Sequence, residues 1–378
     1  FAISPQIAMV VSLIAPIARR SPAVARLFLP GGGLPQAGDR LANPDLGDFL
    51  HALGEGDPDA QVARYWSSLI EDFGPAHGGL ITAQDVAAYA PVVRQPLRVP
   101  FGSYTVLTNP PPSAGGGLIG VGLRLAETLG LGEEAFLSEQ HQLAIAAVLA
   151  TVSQIRQSGY DERLHRDPAS IRDLVAGVAQ PAWVEVARAL SGENPLGATT
   201  HISVLDAQGM AAAMTTSNGE GCGHVLPGLG IHVNNFLGED DINPAGFHQL
   251  PPGVSMSTMM SPTVVLAGDR ACFALGSGGS NRIRSAILQA LLNLLAYRRP
   301  LDEVVNAARL HVEGRKLWFE SPGLAAGVAD ALHSAWPEAT RFDAKSMFFG
   351  GVNCVADSDG RLCGAGDRRR GGVVVVAE

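Results

Sequence analysis

The chain has 378 residues, 46% of them apolar, and a formal net charge of −9. That length and apolar share can bury a large core, in one big domain or two modest ones. The acidic balance argues against nucleic acid and toward small, neutral or cationic partners, and Arg368-Arg369-Arg370 is too short to track a phosphate backbone and reads as a solvated turn.

The chain opens Phe1-Ala2-Ile3-Ser4-Pro5. The apolar stretch Ile7 to Ile17 is too short to span a bilayer and is broken by Pro16. Its charges, Arg19-Arg20, follow it, the wrong order for a signal peptide, so it reads as an amphipathic helix. Residues upstream of Phe1 are left open, and with them the compartment.

Residues 1–94 read as mostly helical, with helix starts at Asn43-Pro44-Asp45-Leu46 and Thr82-Ala83-Gln84-Asp85. Two short strands are expected at Leu97–Val99 and Tyr104–Leu107, then a Pro110-Pro111-Pro112-Ser113 turn feeding a helix. Helices are expected near 118–129, 138–158 and 180–190, with an exposed linker at 191–198.

At Thr199 the character changes. Thr199-Thr200-His201-Ile202-Ser203 sets a polar pair between the loose Gly/Pro segment and an alternating strand. A threonine hydroxyl is a poor nucleophile without a base beside it. Breaking the backbone just before it frees an α-amino group with a pKa of about 8, suited to that task. The plainer reading is a strand that starts with two β-branched residues.

Four downstream features bear on the choice. Met210 to Thr216 returns as the second arm of a hairpin, so the hydroxyls of Thr215-Thr216-Ser217 come back beside Thr199. Asn234-Asn235 precede the acids Glu239-Asp240-Asp241 near a short strand at 230–235. Ser255 to Thr263 mixes hydroxyls and thioethers in no helical or strand pattern. Gly276-Ser277-Gly278-Gly279-Ser280-Asn281-Arg282 runs from a strand near 271–275 into a helix, where converging backbone N–H groups stabilise negative charge. It is no phosphate loop, because the required Lys is missing. Another strand near 263–267, helices at about 280–297 and 301–309 and a closing hairpin at 349–364 complete the reading. Helices, strands, then helices suggest layers with the sheets inside.

Four cysteines fit no metal spacing. A two-residue turn at Ser358-Asp359 would set Cys354 opposite Cys363 and permit a disulfide. A longer, bulged turn leaves two half-buried thiols, the preferred reading. No metal or organic cofactor is implied, since the Gly-rich turns lack dinucleotide spacing and the histidines do not cluster. His201 is read as a packing residue.

The ordered set resembles the gamma-glutamyltranspeptidase family of N-terminal-nucleophile hydrolases over nearly the whole chain. The matching stretches are Pro110–Ser113, Thr199-Thr200-His201 with Ser203-Val204, Asn234-Asn235, Met260-Ser261-Pro262-Thr263, Gly276 to Arg282, and Asp302 to His311 as a late helix. The resemblance implies an α+β, four-layer αββα sandwich, made from a precursor that cleaves itself at Ala198–Thr199 into subunits 1–198 and 199–378 that stay intertwined as one domain, with a dimer of these pairs left open. Thr199 would then attack a γ-glutamyl amide such as glutathione, and water or an amino acid would resolve the acyl-enzyme. Ser217 falls at the family's second Thr, Gly279 and Ser280 at its two oxyanion glycines. A periplasmic or secreted location is implied on the same ground.

Departures fall in the substrate pocket. Gly219 stands where the family has a binding Asn, with Asn218 adjacent, and Phe236 where it has a polar residue. Glu239 replaces the Asp that holds the substrate ammonium, and Thr258-Met259 a Ser pair that binds its carboxylate; Met cannot donate. The stretch between Glu239 and Thr258 is too short for the lid of some members. The family's N-terminal section, with a core strand and a carboxylate-clamping Arg, finds no match here, so the sequence is read as a fragment or truncated product; if nothing replaces that section, sheet edges and apolar surface would be exposed. A glutaryl- or cephalosporin-type acylase and a non-catalytic remnant stand as the alternatives to γ-glutamyl chemistry.

Overall fold

The computed structural model describes residues 1–177, 199–358 and 360–377. The expected helix at 180–190, the linker 191–198 and the residue before Thr199 lie outside them.

Helices α1 (Pro5–Ala18), α2 (Pro22–Phe28), α3 (Pro44–Glu55), α4 (Pro58–Phe73) and α5 (Ala83–Ala88) come first. Strands β1 (Leu97–Phe101) and β2 (Tyr104–Thr108) lead to α6 (Ala114–Thr128), α7 (Glu139–Ile155), α8 (Asp161–Arg166) and α9 (Pro168–Gly177). Then follow β3 (Thr199–Leu205), β4 (Ala211–Ser217), β5 (Val225–Leu226), β6 (Ile231–His232), β7 (Thr263–Ala267) and β8 (Arg270–Gly278). Helices α10 (Arg282–Leu295) and α11 (Leu301–Asn306) precede β9 (Leu310–Glu313) and β10 (Lys316–Glu320). The chain closes with α12 (Val328–Ala335), β11 (Thr340–Phe342), β12 (Gly351–Ser358) and β13 (Arg361–Ala365).

The described residues form two compact units. One is Phe1–Arg94 with Asn218–Phe236. Its first four helices share one device: a cap side chain, Ser4, Ser21, Asn43 or Asp57, accepts a first-turn amide, and a proline follows at once. The cap satisfies a donor with no helical partner, and the proline fixes φ where its missing N–H costs nothing. Thr82 and Asp85 make a reciprocal capping box on α5. Phe49 and Leu69 of α3 and α4 bury against Leu226 and Leu229.

The second unit is Gln95–Ser217 with Leu237–Glu378. Its main sheet is antiparallel throughout, in the order β1-β2-β7-β8-β12-β13. One face carries Val99, Val106, Val265, Leu275 and Cys354, packed in one core with Leu118 and Leu123 of α6 and Ile283 and Ile287 of α10. The β3–β4 hairpin lies on the other face, against β8 and β12. A smaller sheet, β11-β10-β9, packs against α7 and α10. The protein is thus a mixed helix-and-sheet fold. Across the main sheet the described residues supply a helical layer, the sheet and the hairpin. Beyond the hairpin, Ile202, Val204 and Met214 are 49%, 53% and 55% exposed.

Several expectations need correction. The late helix stops at Asn306, because Leu310–Glu313, including His311, pairs with β10 as a strand. The strand expected near 230–235 shrinks to Ile231–His232, and α7 ends at Ile155, where Gly159 soon takes φ 84°. Ser358 pairs with Arg361, which shifts the register so that Cys363 faces Ala356 and Cys354 faces Ala365. Both cysteines are free thiols, and burial pushes Cys354 up to about 12.

The arginine triplet is no solvated turn. Arg368 is exposed and paired with Asp302, but Arg369 is buried. Its guanidinium donates to Glu320 at 2.8 Å, to Asp367 at 3.2 Å and to the Val305 and Ala307 carbonyls. Arg309 adds a 2.7 Å pair to Asp367. Burial would raise the Asp367 pKa, but Arg309 and Arg369 outweigh it and hold the carboxyl below its usual range. This network pins the C-terminal turn to β10 and α11.

Replacing Arg369 by Met leaves Glu320 and Asp367 buried with one guanidinium between them, and should cost about 3–5 kcal/mol of unfolding free energy in urea titrations. Three histidines of this unit, His141, His201 and His311, are buried, and burial lowers each to about 4. The unfolded chain therefore binds protons on them between about pH 6.5 and 4 while the folded one does not. Stability must fall with acid in that window, by up to about 1.4 kcal/mol per pH unit for each ring. Equal urea midpoints at pH 7 and pH 5 would refute this.

Candidate active site

Thr199 is the first residue of β3, and its register partner is Ser217, the last of β4. Strand alternation turns Thr199, His201 and Ser203 toward the main sheet, facing Thr215 and Ser217 across the hairpin. The two end hydroxyls meet: Thr199 Oγ1 donates to Ser217 Oγ at 3.2 Å. The next rung holds the imidazole of His201, with Nδ1 2.8 Å from Thr215 Oγ1 and Nε2 2.7 Å from Ser203 Oγ. Burial holds the ring neutral, lowering it to about 4. Both nitrogens are engaged, so His201 packs and fixes the hairpin.

The hairpin comes this close because the strand beneath it presents glycines. A methyl group on Gly276 would run into the His201 ring, and one on Gly278 into the Thr199 carbonyl oxygen. Asn353, the register partner of Gly276, donates to the His201 carbonyl at 3.3 Å. The chain then leaves β8 by a tight turn, Gly279 at φ 130° and Ser280 at φ 50°, before α10 starts at Arg282. Gly279 and Ser280 thus sit immediately beyond the glycine on which Thr199 rests. The Arg282 and Ile283 amides already donate back to the Gly279 and Ser280 carbonyls, both at 3.0 Å.

Thr258 and Met259 are held against the start of α6. The Thr258 carbonyl accepts from the Ala114 amide at 2.9 Å, and Ser113 Oγ donates to the Met260 carbonyl at 3.0 Å. That is the structural use of the Pro110–Ser113 turn. Thr258 and Met259 line a cavity of about 940 Å³ together with Arg156, Asp161, His165 and Asn281. Arg156 donates to Asn281 at 2.8 Å and to Asp161 at 3.0 Å, and His165 Nε2 meets Ser257 Oγ at 3.0 Å. The short stretch after Glu239, with Asp240, Asn243 and Leu250, forms one wall. Glu239 itself is half-buried, and its carbonyl accepts from Asn243 at 2.7 Å.

The structure therefore gathers Thr199, Ser217, Gly279 and Ser280 at one end of β8, and sets Thr258 and Met259 on a cavity that reaches that turn through Asn281. Asn218 belongs to the other compact unit, with Gly219 and Phe236, and there its side chain donates to the His232 carbonyl. Asn235 is likewise structural, accepting from the Glu220 amide at 3.1 Å. Sequence reading missed the glycine floor, Arg156 and His165. The alternation Gly276-Ser277-Gly278 inside a strand was the available signal for the first; nothing local marks the other two.

Residues 1–377 match the family described as Gamma-glutamyltranspeptidase. The chain is 32% identical over 395 residues to the Acylase ACY 1 proenzyme of Pseudomonas sp. (strain SE83), covering all of this chain and 68% of that protein. It is 28% identical over 304 residues to the Glutathione hydrolase proenzyme of Pseudomonas aeruginosa, covering 73% of this chain and 53% of the relative. In fold it is similar to a cephalosporin acylase from Bacillus halodurans, with a TM-score of 0.78 at 18% identity, covering all of this chain and 72% of that one. The match over residues 1–377, together with these relatives, shows that the chain belongs to the gamma-glutamyltranspeptidase family.

Proposed function

We propose that this chain is a precursor that cleaves itself before Thr199 and then works as a threonine N-terminal-nucleophile enzyme on amides. The observation that carries the reading is the Thr199–Ser217 hydroxyl pair seated on Gly278, one residue from the Gly279–Ser280 turn. In self-cleavage, Thr199 Oγ adds to the carbonyl carbon of Ala198 and the Thr199 nitrogen departs as an amine. Water then hydrolyses the ester. In turnover, the freed amine takes the Thr199 hydroxyl proton as Oγ attacks the substrate amide, and returns it to the leaving amine. Ser217 fixes the Thr199 rotamer, and Gly279 and Ser280 present backbone N–H groups to the oxyanion. Water or an amino acid releases the acyl group. A fourth, helical layer over the Ile202, Val204 and Met214 face, making the αββα sandwich, belongs to the same reading, as does the 1–198/199–378 subunit division.

For the acyl group, the relatives named as acylases and the buried Met259 favour a glutaryl- or cephalosporin-type acyl donor over γ-glutamyl. A thioether where a hydroxyl donor is wanted suits a less polar acyl end. The γ-glutamyl reading keeps one specific support, the Glu239 carboxylate as ammonium partner, with Thr258 beside Met259 at the acyl end and Asn218 nearby in sequence.

Folded wild type should run as two fragments divided at Ala198–Thr199, the second beginning Thr-Thr-His, and Thr199→Ala as one intact chain. A single wild-type band from well-folded material would end the proposal. With the cleaved enzyme, kcat/KM for release from a glutaryl anilide should exceed that from the γ-glutamyl anilide by at least about tenfold, the scale set by one recognition contact. The reverse preference, abolished by Glu239→Gln, would restore γ-glutamyl chemistry.

A further inference from the structure

The glycine floor carries a second passenger besides Thr199. Gly278 of β8 and Gly351 of β12 are register partners, so their side-chain positions lie on one face of the sheet. A methyl group on Gly278 would strike the Thr199 carbonyl; one on Gly351 would meet Cβ, Cγ and Cδ of Arg370, each at 2.7 Å. Paired positions of this kind are about 5 Å apart, which makes Thr199 and Arg370 neighbours on the same surface. The Arg370 stem runs on toward the turn. Its Nη2 lies 3.4 Å from where a methyl on Gly279 would stand, and donates to the Met347 carbonyl at 3.2 Å.

The arginine is held there firmly. Asp367 caps the turn Arg368–Arg370 by accepting from the Arg369 amide, and Gly371 ends the turn at φ 60°. The buried Arg369 network anchors the preceding residue. Burial, with Arg282 alongside, brings the Arg370 pKa down to about 10, so the guanidinium is charged at neutral pH.

We propose that Arg370 is a positioning residue: its fixed charge keeps the freed Thr199 amine unprotonated at lower pH and favours negative charge at the Gly279–Ser280 turn. The inference rests on Thr199 being the N-terminal nucleophile. Beside Thr199 lie the neutral His201 on β3, the Ser217 hydroxyl on β4 and Asn353 on β12, and the charged groups that act on Arg370 are Arg282 at the start of α10, Arg309 and Asp367. Gly276 and Gly278 of β8 bring no charge. Arg370, with two arginines against one carboxylate around it, makes that side of Thr199 cationic, and a cation beside an amine disfavours its ammonium form.

The test uses cleaved wild type, Arg370→Met and Arg370→Lys, with the anilide that the wild type turns over best. The acidic limb of the kcat/KM profile reports the free enzyme's base. In Arg370→Met that limb should move up by about one pH unit, and the rate at pH 7 should fall about 10- to 100-fold. Arg370→Lys should hold the limb within about 0.3 pH unit of wild type, since the charge remains. A Met profile that superimposes on wild type overturns the inference, as does a Lys variant that titrates like the Met variant. If Arg370→Met folds but stays uncleaved, the Lys titration decides alone, a full-unit shift being the refuting result. An uncleaved wild type would sink the Thr199 reading and this inference with it; a cleaved, active wild type with an indifferent Arg370 sinks only this one.

Discussion

The arrangement of the site depends on how closely two β-layers approach. Stacked sheets ordinarily keep about 10 Å between them, the room two rows of side chains need. Here the row beneath β3 has been emptied: Gly276 and Gly278 of β8, and Gly351 beside them on β12, leave the sheet surface bare. The Thr199 carbonyl and the His201 ring settle directly onto it. Any larger residue at Gly278 would have to lift the Thr199 carbonyl, and the hydroxyl pair to Ser217 would lift with it. The same bareness lets the Arg370 stem lie flat beside Thr199. Backbone entropy is the cost of three glycines in strands, and their positions are intelligible only through what rests on them.

A second constraint works from below. The C-terminal turn carries no hydrophobic anchor of its own, and Arg369, buried between Glu320 and Asp367, replaces one. Breaking such a network is expensive because it leaves uncompensated charge inside, so the turn has one position and not several. Glu313 with Arg284, and Arg156 with Asn281, do similar service around the start of α10. The Gly279–Ser280 turn is thereby fixed from the helix side by an ion pair and a charged hydrogen bond, and from the strand side by the ladder to β12.

What could be read in the sequence was local. The cap-then-proline starts of α1 to α4, the capping box at Thr82, the hairpin that returns Ser217 to Thr199 and the strand-turn-helix at 270–295 each have their causes within a few residues. The ordered motifs pointed to the family. What escaped was set at long range. Nothing near Arg369 announces that Glu320 waits 49 residues upstream, so three arginines in a row looked like surface. Leu310–Glu313 has too few residues to show a period, and only pairing with β10 makes it a strand. The Cys354–Cys363 register turned on which two residues form a turn, a shift of one position that composition cannot settle.

The cavity wall and the Thr199 end are held in different ways. Thr258 is placed by its carbonyl, which accepts from the Ala114 amide and the Ser113 hydroxyl, while Met259 beside it is buried in the main core. At the other end Thr199, Ser217 and the glycines are coupled through contact. The family holds relatives named as acylase and as glutathione hydrolase, and under the proposed function the frame at Thr199 would be kept while the cavity wall varies.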